Sequence, residues 1–429
     1  MVALATMPAH AQRADSGAQS LDTAALPARP KLDAGVDTNN AQANYTYGLS
    51  MVYDNPQESV RAFYWASRLD PSSGDAMYAL WTAKLLAMSD QELTSYTSRG
   101  REKRTSKQLA LDSLIFRAYA VNPFLFSSID GALMRRMIKA DIVTSFPQIT
   151  PGLLSQMVAG RMRAAATEPW MAYTEGRFQD ALDAYARRLE MLSNFGNEVP
   201  KKKPNAKEKR YAEMQKLGRS YAQVDIHAKR ARIFYQLHEF DSASTEMTAA
   251  ISILQSQDTS AAQLIYQSKA IFDQSLGMIY EHDRRFDLAR EAYGRAMQED
   301  ISYYAAHSHI AELELEQGDT ANAISEMELA VQLEPEDPAL RYHYATVLVQ
   351  AFRDADATQQ LRKAIALDPY YGSPHLLLAS IGDLENYKSD AIAEYQAFVA
   401  LAARSDARLP NVRARLAKLT AGTASTQPK

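Results

Sequence analysis

A pattern of small and large apolar residues returns every 34 residues in the C-terminal half of this chain of 429 residues. Ungapped blocks begin at Ala270, Tyr304, Pro338 and Gly372. The twentieth position of each block is alanine, namely Ala289, Ala323, Ala357 and Ala391. Position 8 is always small and position 24 always large and apolar. Positions 20, 24 and 27 share one helix face, so each block predicts two antiparallel helices that approach closely at the small residues.

Looser copies of the pattern precede the in-phase blocks. One block has Ala243 at its twentieth position, and another, with the sequence "EGRFQDALDAY", has Ala181 there. Pro169 falls inside the first helix expected of the latter block, which predicts that this helix is short. Near the front, Ser59 takes the place of the usual alanine. Residues 124–160 match no block, and we predict helices of uncertain register for them.

The period, the small residues at positions 8 and 20 and the "LDP" that ends a block at 367–369 resemble the tetratricopeptide repeat family. Residues 270–403 carry the resemblance. It implies an all-α fold, a right-handed superhelical solenoid of antiparallel helix pairs. A stacked array leaves its last apolar face open, and "PNVRARLAKLTAG" predicts an amphipathic capping helix over 409–420.

The remaining chain divides into segments of different composition. We predict a disordered leader at 1–40, an irregular N-terminal repeat-like helical region at 41–195, a basic Pro/Lys-rich linker at 196–208, the array at 209–403, and a capping helix with a disordered tail at 404–429. The in-phase repeats of the array begin at 270.

The N-terminus carries part of an export signal. Ala9-His10-Ala11 has the small-x-small form of a signal-peptidase site and follows a short apolar stretch. We interpret the start as the remnant of a signal peptide, which predicts a periplasmic or exported bacterial protein. The alternative is an Ala-rich disordered N-terminus of a cytoplasmic protein. No apolar run approaches the roughly 20 residues of a transmembrane helix, so none is predicted.

The sequence offers no recognisable catalytic or metal centre. It contains no cysteine, no phosphate-binding loop and no nucleophile elbow. His227, His307 and His375 all occupy position 4 of their blocks, which favours a structural role over a ligand role. His307 and His309 are two residues apart on a helix and point in different directions. We therefore predict no enzyme, cofactor or metal; the alternative is an enzyme, or a regulatory subunit of one, with its site at 77–160.

Charge is distributed unevenly along the chain. Residues 270–403 hold 23 acidic and 9 basic residues, whereas the whole chain has a net charge of −4. The block 304–337 has nine acidic residues and neither lysine nor arginine. An acidic surface steers basic partners toward it, although acids also keep an apolar array soluble. A net-acidic chain argues against dedicated nucleic-acid binding.

The resemblance also implies where a partner binds. First helices of the family line a concave groove, and its groove positions, transferred to this chain, predict a mixed acidic and apolar lining. The predicted partner-binding residues are Gln274, Met278, Glu281, Ser308, Glu312, Glu316, Tyr342, Thr346, Gln350, Ser380 and Asp383, with His282, Leu315, Val349, Leu376 and Leu384 beside them. The lysine and asparagine clamp of some co-chaperone members is absent. The sequence thus predicts a non-catalytic scaffold that binds a protein or peptide, with a basic segment, during complex assembly.

Overall fold

The computed structural model describes residues 26–98, 105–125, 129–165, 168–194, 205–258 and 269–424. All regular elements in these ranges are α-helices, which confirms the predicted all-α fold. The signal-peptide pattern near Ala11 and residues 196–204 of the predicted linker lie outside the described residues. Within the described ranges, no helix combines the length and the apolar character that a membrane crossing requires.

The described residues form 20 helices. The first eleven are α1 (Ala41–Met51), α2 (Pro56–Leu69), α3 (Gly74–Leu86), α4 (Asp90–Ser98), α5 (Ser106–Val121), α6 (Asp130–Ser145), α7 (Pro151–Ala165), α8 (Pro169–Thr174), α9 (Phe178–Asn194), α10 (Ala206–Gln236) and α11 (Phe240–Asp258). The remaining nine are α12 (Ala270–His282), α13 (Phe286–Glu299), α14 (Tyr304–Glu316), α15 (Thr320–Leu333), α16 (Pro338–Gln350), α17 (Asp354–Leu367), α18 (Gly372–Leu384), α19 (Lys388–Leu401) and α20 (Leu409–Ala424).

The chain folds into two compact units that the sequence did not predict. The first includes Ser89–Lys103 and Phe126–Ala306, and the second includes Ala18–Met88, Arg104–Leu125 and His307–Lys429. The helices α1, α2, α3 and α5 therefore share a unit with the C-terminal repeats. The predicted N-terminal region does not form one body, because α4 and α6 to α9 belong to the other unit.

The 34-residue register fixes the helix boundaries of the array. In all four in-phase blocks the first helix occupies positions 1–13 and the second occupies positions 17–30. The two earlier blocks keep the same turn, since α8 and α10 end at position 13 and α9 and α11 begin at position 17. The helix α8 is short, as predicted, with six residues, but Pro169 begins it and does not lie inside it. Proline is tolerated there because the first N–H groups of a helix have no intrahelical partner.

Two predicted boundaries are wrong. The linker ends before 208, because α10 begins at Ala206: Asn205 and Glu208 form a capping box that satisfies the first backbone N–H groups. Residues 26–40, predicted as part of a disordered leader, make defined contacts with α2 and with the C-terminal repeats. The capping helix is confirmed, since α20 packs against α19 through Leu409, Val412 and Leu419.

Small residues let the paired helices approach closely. The four position-20 alanines have no exposed surface. In the first in-phase block, Gly277 lies against the ring of Tyr293, and a Cβ atom at Gly277 would come within 2.5 Å of that ring. Tyr293 is itself fully buried, so the tyrosine ring occupies the space that a glycine leaves.

Each of the position-4 histidines has a partner at position 23 of its own block. The Nδ1 atoms of His227, His307 and His375 lie 2.6 to 2.7 Å from the carboxylates of Glu246, Glu326 and Glu394, respectively. In the third in-phase block, the side chain of Arg341 donates to Gln360 at the same two positions, over 3.0 Å. A recurring polar pair therefore joins position 4 of each of these blocks to the second helix of the block.

A left-handed residue closes the turn inside six repeats. Position 15 has a positive φ in each of them, at Gly176, His238, Arg284, Gly318, Phe352 and Asn386. The N–H of the following residue then donates to the carbonyl at position 11, over 2.7 to 2.9 Å. This is the bond that ends a helix through a left-handed residue, and it satisfies a carbonyl that would otherwise lack a partner.

Phe352 is the least suitable residue at this position, since its φ is 57° and its side chain is 92% exposed. Phe352→Asn is expected to raise the free energy of unfolding by about 1 kcal/mol, because asparagine adopts the left-handed conformation more easily. The reverse change, Asn386→Phe, should lower the free energy of unfolding by a similar amount. Urea denaturation measures both, and equal stabilities of the three proteins would contradict the expectation.

Candidate partner-binding site

The first helices of the second unit carry most of the predicted groove positions. These helices are α14 from residue 307, α16 and α18. At the groove positions, Ser308, Tyr342, Thr346 and Ser380 are partly exposed, and Glu312, Glu316 and Gln350 are exposed. Thr346 and Ser380 donate their hydroxyl hydrogens to backbone carbonyls of their own helices. Among these groove positions, the exposed charged groups are the carboxylates of Glu312 and Glu316.

Glu312 lies on α14, at one end of this face. Its carboxylate oxygens are 3.9 Å from the Nδ1 atom of His309 on the same helix and 3.9 Å from the Nδ1 atom of His343 on α16. Its side chain is 47% exposed, and Glu316 is exposed one turn further along α14. The site therefore presents two carboxylates on one helical stripe, with imidazoles at its border.

Other acids of the block 304–337 have structural partners. Asp319 caps α15 by accepting a bond from the backbone N–H of Asn322. Glu326 pairs with His307, and Asp337 caps α16 and pairs with Arg117 of α5 at 3.0 Å. The acidic character of the block thus has two origins: internal contacts of this kind, and exposed carboxylates, of which Glu312 and Glu316 lie on the first helix.

The capping helix covers one predicted site residue. Arg415 of α20 donates two hydrogen bonds of 2.6 Å to the carboxylate of Asp383, and Tyr395 donates a third over 3.3 Å. The hydrogen bonds from Arg415 hold the pKa of Asp383 below its ordinary value. Asp383 therefore carries a partner within the chain, while the neighbouring Leu384 is 85% exposed.

The first unit contains the other three predicted residues. Gln274 and Met278 are buried, and Gln274 accepts a hydrogen bond from the hydroxyl of Tyr303. Glu281 accepts one from the hydroxyl of Tyr293 over 2.5 Å. Gln274 and Met278 were predicted to contact a partner. Their burial argues against this, because neither side chain is available at a surface. Sequence position alone did not reveal which groove positions are covered.

A second surface, which the sequence did not predict, lies where one repeat connects to the next. We call residues 334–337, 368–371 and 402–405, which are spaced by 34 residues, the edge loops. Arg117 of α5 pairs with Asp337, and Arg68 of α2 pairs with Asp368 at 3.1 Å. Asp37 accepts a hydrogen bond from the backbone N–H of Arg404. Three successive edge loops therefore each bind a segment from the N-terminal part of the chain.

The region 77–160, the predicted place of an enzymatic alternative, is divided between the two units. Its helices in the first unit are tied together by two ion pairs, Arg136 with Asp90 and Arg161 with Asp141. Each pair joins two helices. The alternative remains a prediction.

Comparisons with known proteins agree with the repeat. A family model for the tetratricopeptide repeat matches residues 314–381. A Haemophilus influenzae protein of uncharacterised function is 30% identical over 112 residues, which span 26% of this chain and 63% of that protein, less than two thirds of its length.

Two solved structures show partial similarity. PilF of Pseudomonas aeruginosa is 20% identical over 47% of this chain and 86% of its own, with a TM-score of 0.40. Yeast Tom70 is 12% identical over 90% of both chains, with the same TM-score of 0.40. The in-phase helix pairs, their shared left-handed turn and the family match together show that residues 314–381 form tetratricopeptide repeats.

Proposed function

We propose that this protein is a non-catalytic scaffold that binds a basic segment of a protein partner on the first-helix face of residues 307–384, in the assembly of a multiprotein complex. The observation that carries the proposal is the pair of exposed carboxylates, Glu312 and Glu316, on α14. They belong to a block with nine acidic residues and no lysine or arginine. Tetratricopeptide repeats typically bind proteins or peptides and do not catalyse reactions. This supports the role of a protein-binding scaffold.

The arrangement fits an extended or helical segment better than a small molecule. Partly exposed side chains continue from Ser308 through Tyr342 and Thr346 to Ser380, so the face runs across three repeats. Carboxylates at one end attract lysine and arginine side chains over a long range, and the exposed Leu384 offers an apolar contact at the other. Electrostatic attraction of this kind mainly accelerates association and selects among partners.

Reversal of the charge tests the proposal. Glu312→Lys combined with Glu316→Lys is expected to reduce the recovery of a stoichiometric protein partner at least tenfold in affinity purification from the native host, with unchanged helical content. Each carboxylate that is bonded to a charged group of the partner contributes roughly 1.5 to 3 kcal/mol. Quantitative mass spectrometry of the purified complexes measures the loss.

A matched control separates the site from net charge. Glu328→Lys changes an exposed acid on the second helix of the same block and should leave recovery unchanged, whereas Glu316→Lys alone should lower it. Equal recovery by the double variant and the wild-type protein would exclude this face as the binding site.

A further inference from the structure

Residues 27–40, which we call the latch, lie along two edge loops. The latch forms no helix or strand and contains two hydrogen-bonded turns, from Asp33 to Val36 and from Asp37 to Asn40. At its beginning, the indole N–H of Trp65 on α2 donates to the carbonyl oxygens of Pro27 and Ala28, at 3.0 and 3.3 Å. Further along, the guanidinium of Arg404 donates to the carbonyl of Gly35 over 2.8 Å. Side chains of the repeats and of α2 thus bind the backbone of the latch.

The end of the latch is held by the last turn of α19 and by the edge loop 402–405. The amide of Asn39 donates to the carbonyl of Ala400 over 2.8 Å, and the amide of Asn40 donates to the hydroxyl of Ser405 over 3.3 Å. Asn40 also caps α1, since its side chain accepts a bond from the N–H of Ala43. This end of the latch therefore leads directly into α1, whereas the first half is held by Trp65 and by one side chain of its own.

That side chain is Arg29. Its guanidinium lies 3.7 Å above the ring of Trp65 and 5.6 Å from the ring of Tyr370 in the edge loop 368–371. The two rings meet edge to face with their centroids 4.9 Å apart, and Trp65 is only 3% exposed. A planar cation stacked on an indole and bordered by a second ring is a strong cation–π arrangement.

The sequence around Arg29 prepares the segment for binding. Pro27 and Pro30 surround the arginine, and a proline restricts the residue before it to extended conformations. The cost of ordering such a segment on a surface is low, because few alternative conformations are lost. Pro30 is itself buried, which anchors the backbone next to the guanidinium.

We infer that the latch is an internal peptide ligand, and that the pocket formed by Trp65 and Tyr370 is an arginine-binding site, which an extended Pro-x-Arg-Pro segment of a partner protein fills when the latch is released. The latch indicates the chemistry of this occupant, since it offers two backbone carbonyls to the indole N–H and one guanidinium to the two rings. This site is separate from the first-helix face proposed above, and its failure would leave that proposal unaffected.

A peptide in trans tests the site. The probe is a fluorescein-labelled peptide with the sequence of residues 26–40, LPARPKLDAGVDTNN. In the wild-type chain the latch competes at the high effective concentration of an attached segment, so binding should be weak. The full chain with Arg29→Ala, and the full chain with residues 27–32 replaced by a Gly-Ser segment of equal length, should bind the peptide at least tenfold more tightly. Fluorescence anisotropy measures the dissociation constants.

Two controls define the chemistry. Lys31→Ala removes an exposed cation two residues from Arg29 and should leave peptide binding as weak as in the wild-type chain. A peptide with alanine in place of its arginine should bind the Gly-Ser chain at least tenfold less tightly than the original peptide. Equal binding of both peptides, or equal binding to all four chains, would overturn the arginine-binding site.

Release of the latch has its own readout. Cleavage after Lys31 by a lysine-specific protease follows the fraction of chains in which the latch is open, when opening is fast relative to cleavage. Arg29→Ala should accelerate this cleavage at least tenfold, and Arg61→Ala, which removes an exposed arginine of α2, should not change it. Faster cleavage without peptide binding to either variant would overturn the proposal, since the latch would then be only a structural strap.

Discussion

Gly277→Ala is expected to lower the free energy of unfolding by about 2 kcal/mol, because the added methyl group would enter the ring of Tyr293 in a well-packed core. Tyr293→Leu alone is expected to cost about 3 kcal/mol, through the cavity and the lost hydrogen bond to Glu281. The two changes together should cost at least about 1 kcal/mol less than their sum, since contacting residues couple.

The repeat itself supplies the reason for this coupling. The block at 338–371 has alanine at position 8, Ala345, and leucine at position 24, Leu361, and both are fully buried. The double variant recreates this pair in the first in-phase block. Gly294→Ala is the control: it lies in α13 with no atom within 4 Å of an added Cβ, and should stabilise the protein by about 0.5 to 1 kcal/mol. If the double variant loses as much free energy of unfolding as the two single variants together, as measured by urea denaturation, the residues at positions 8 and 24 are not coupled.

Arg68→Ala is expected to lower the free energy of unfolding by about 2 to 3 kcal/mol at pH 8, because it leaves the carboxylate of Asp368 buried without its cation. Asp368 is 3% exposed, and burial raises its pKa to about 6, from an ordinary value of 3.8. The fold therefore favours the protonated form, and the contribution of Asp368 to stability falls as the pH rises from about 4 to 6.

The effect of Arg68→Ala should consequently depend on pH. Below pH 5 the carboxyl of Asp368 is mostly protonated in the folded protein, so the loss of the arginine charge matters less, and the destabilisation should be less than half of its value at pH 8. Combination with Asp368→Asn should remove this pH dependence. Arg61→Ala, which breaks an exposed pair with Glu58, should change stability by less than about 0.5 kcal/mol. A destabilisation that stays constant from pH 5 to 8 would contradict the role of Asp368.

The repeat could be predicted from the sequence because its signals are local. Alanine at position 20 and the 34-residue spacing fix where each helix begins and ends, and these boundaries hold at all four in-phase blocks. The left-handed turn was harder to recognise. Gly318 and Asn386 are typical of such turns, but Phe352 is not, so the shared conformation follows from the backbone bond to position 11 and not from residue type.

The candidate site could be predicted from the sequence only in part. The exposure of Glu312 follows from helical periodicity, but the burial of Gln274 and the pairing of Asp383 with Arg415 depend on which elements lie over them. The edge loops could not be found in the same way, since Arg68 and Asp368 are 300 positions apart in the chain. One signal was present: the glutamates at position 23 recur with the position-4 histidines, and their coincidence in three blocks indicates a pair within the repeat.

The contacts at the edge loops have a consequence for synthesis of the protein on the ribosome. Tandem repeats ordinarily complete their contacts with the repeat that was made just before. Here Trp65 of α2 must wait for Tyr370, and Asn39 for Ala400. At about 5 to 20 residues per second, this interval lasts roughly 15 to 70 s. During that time the indole and its neighbours on α2 lack their final cover, so a chaperone that binds apolar surface would find a target on the nascent α2.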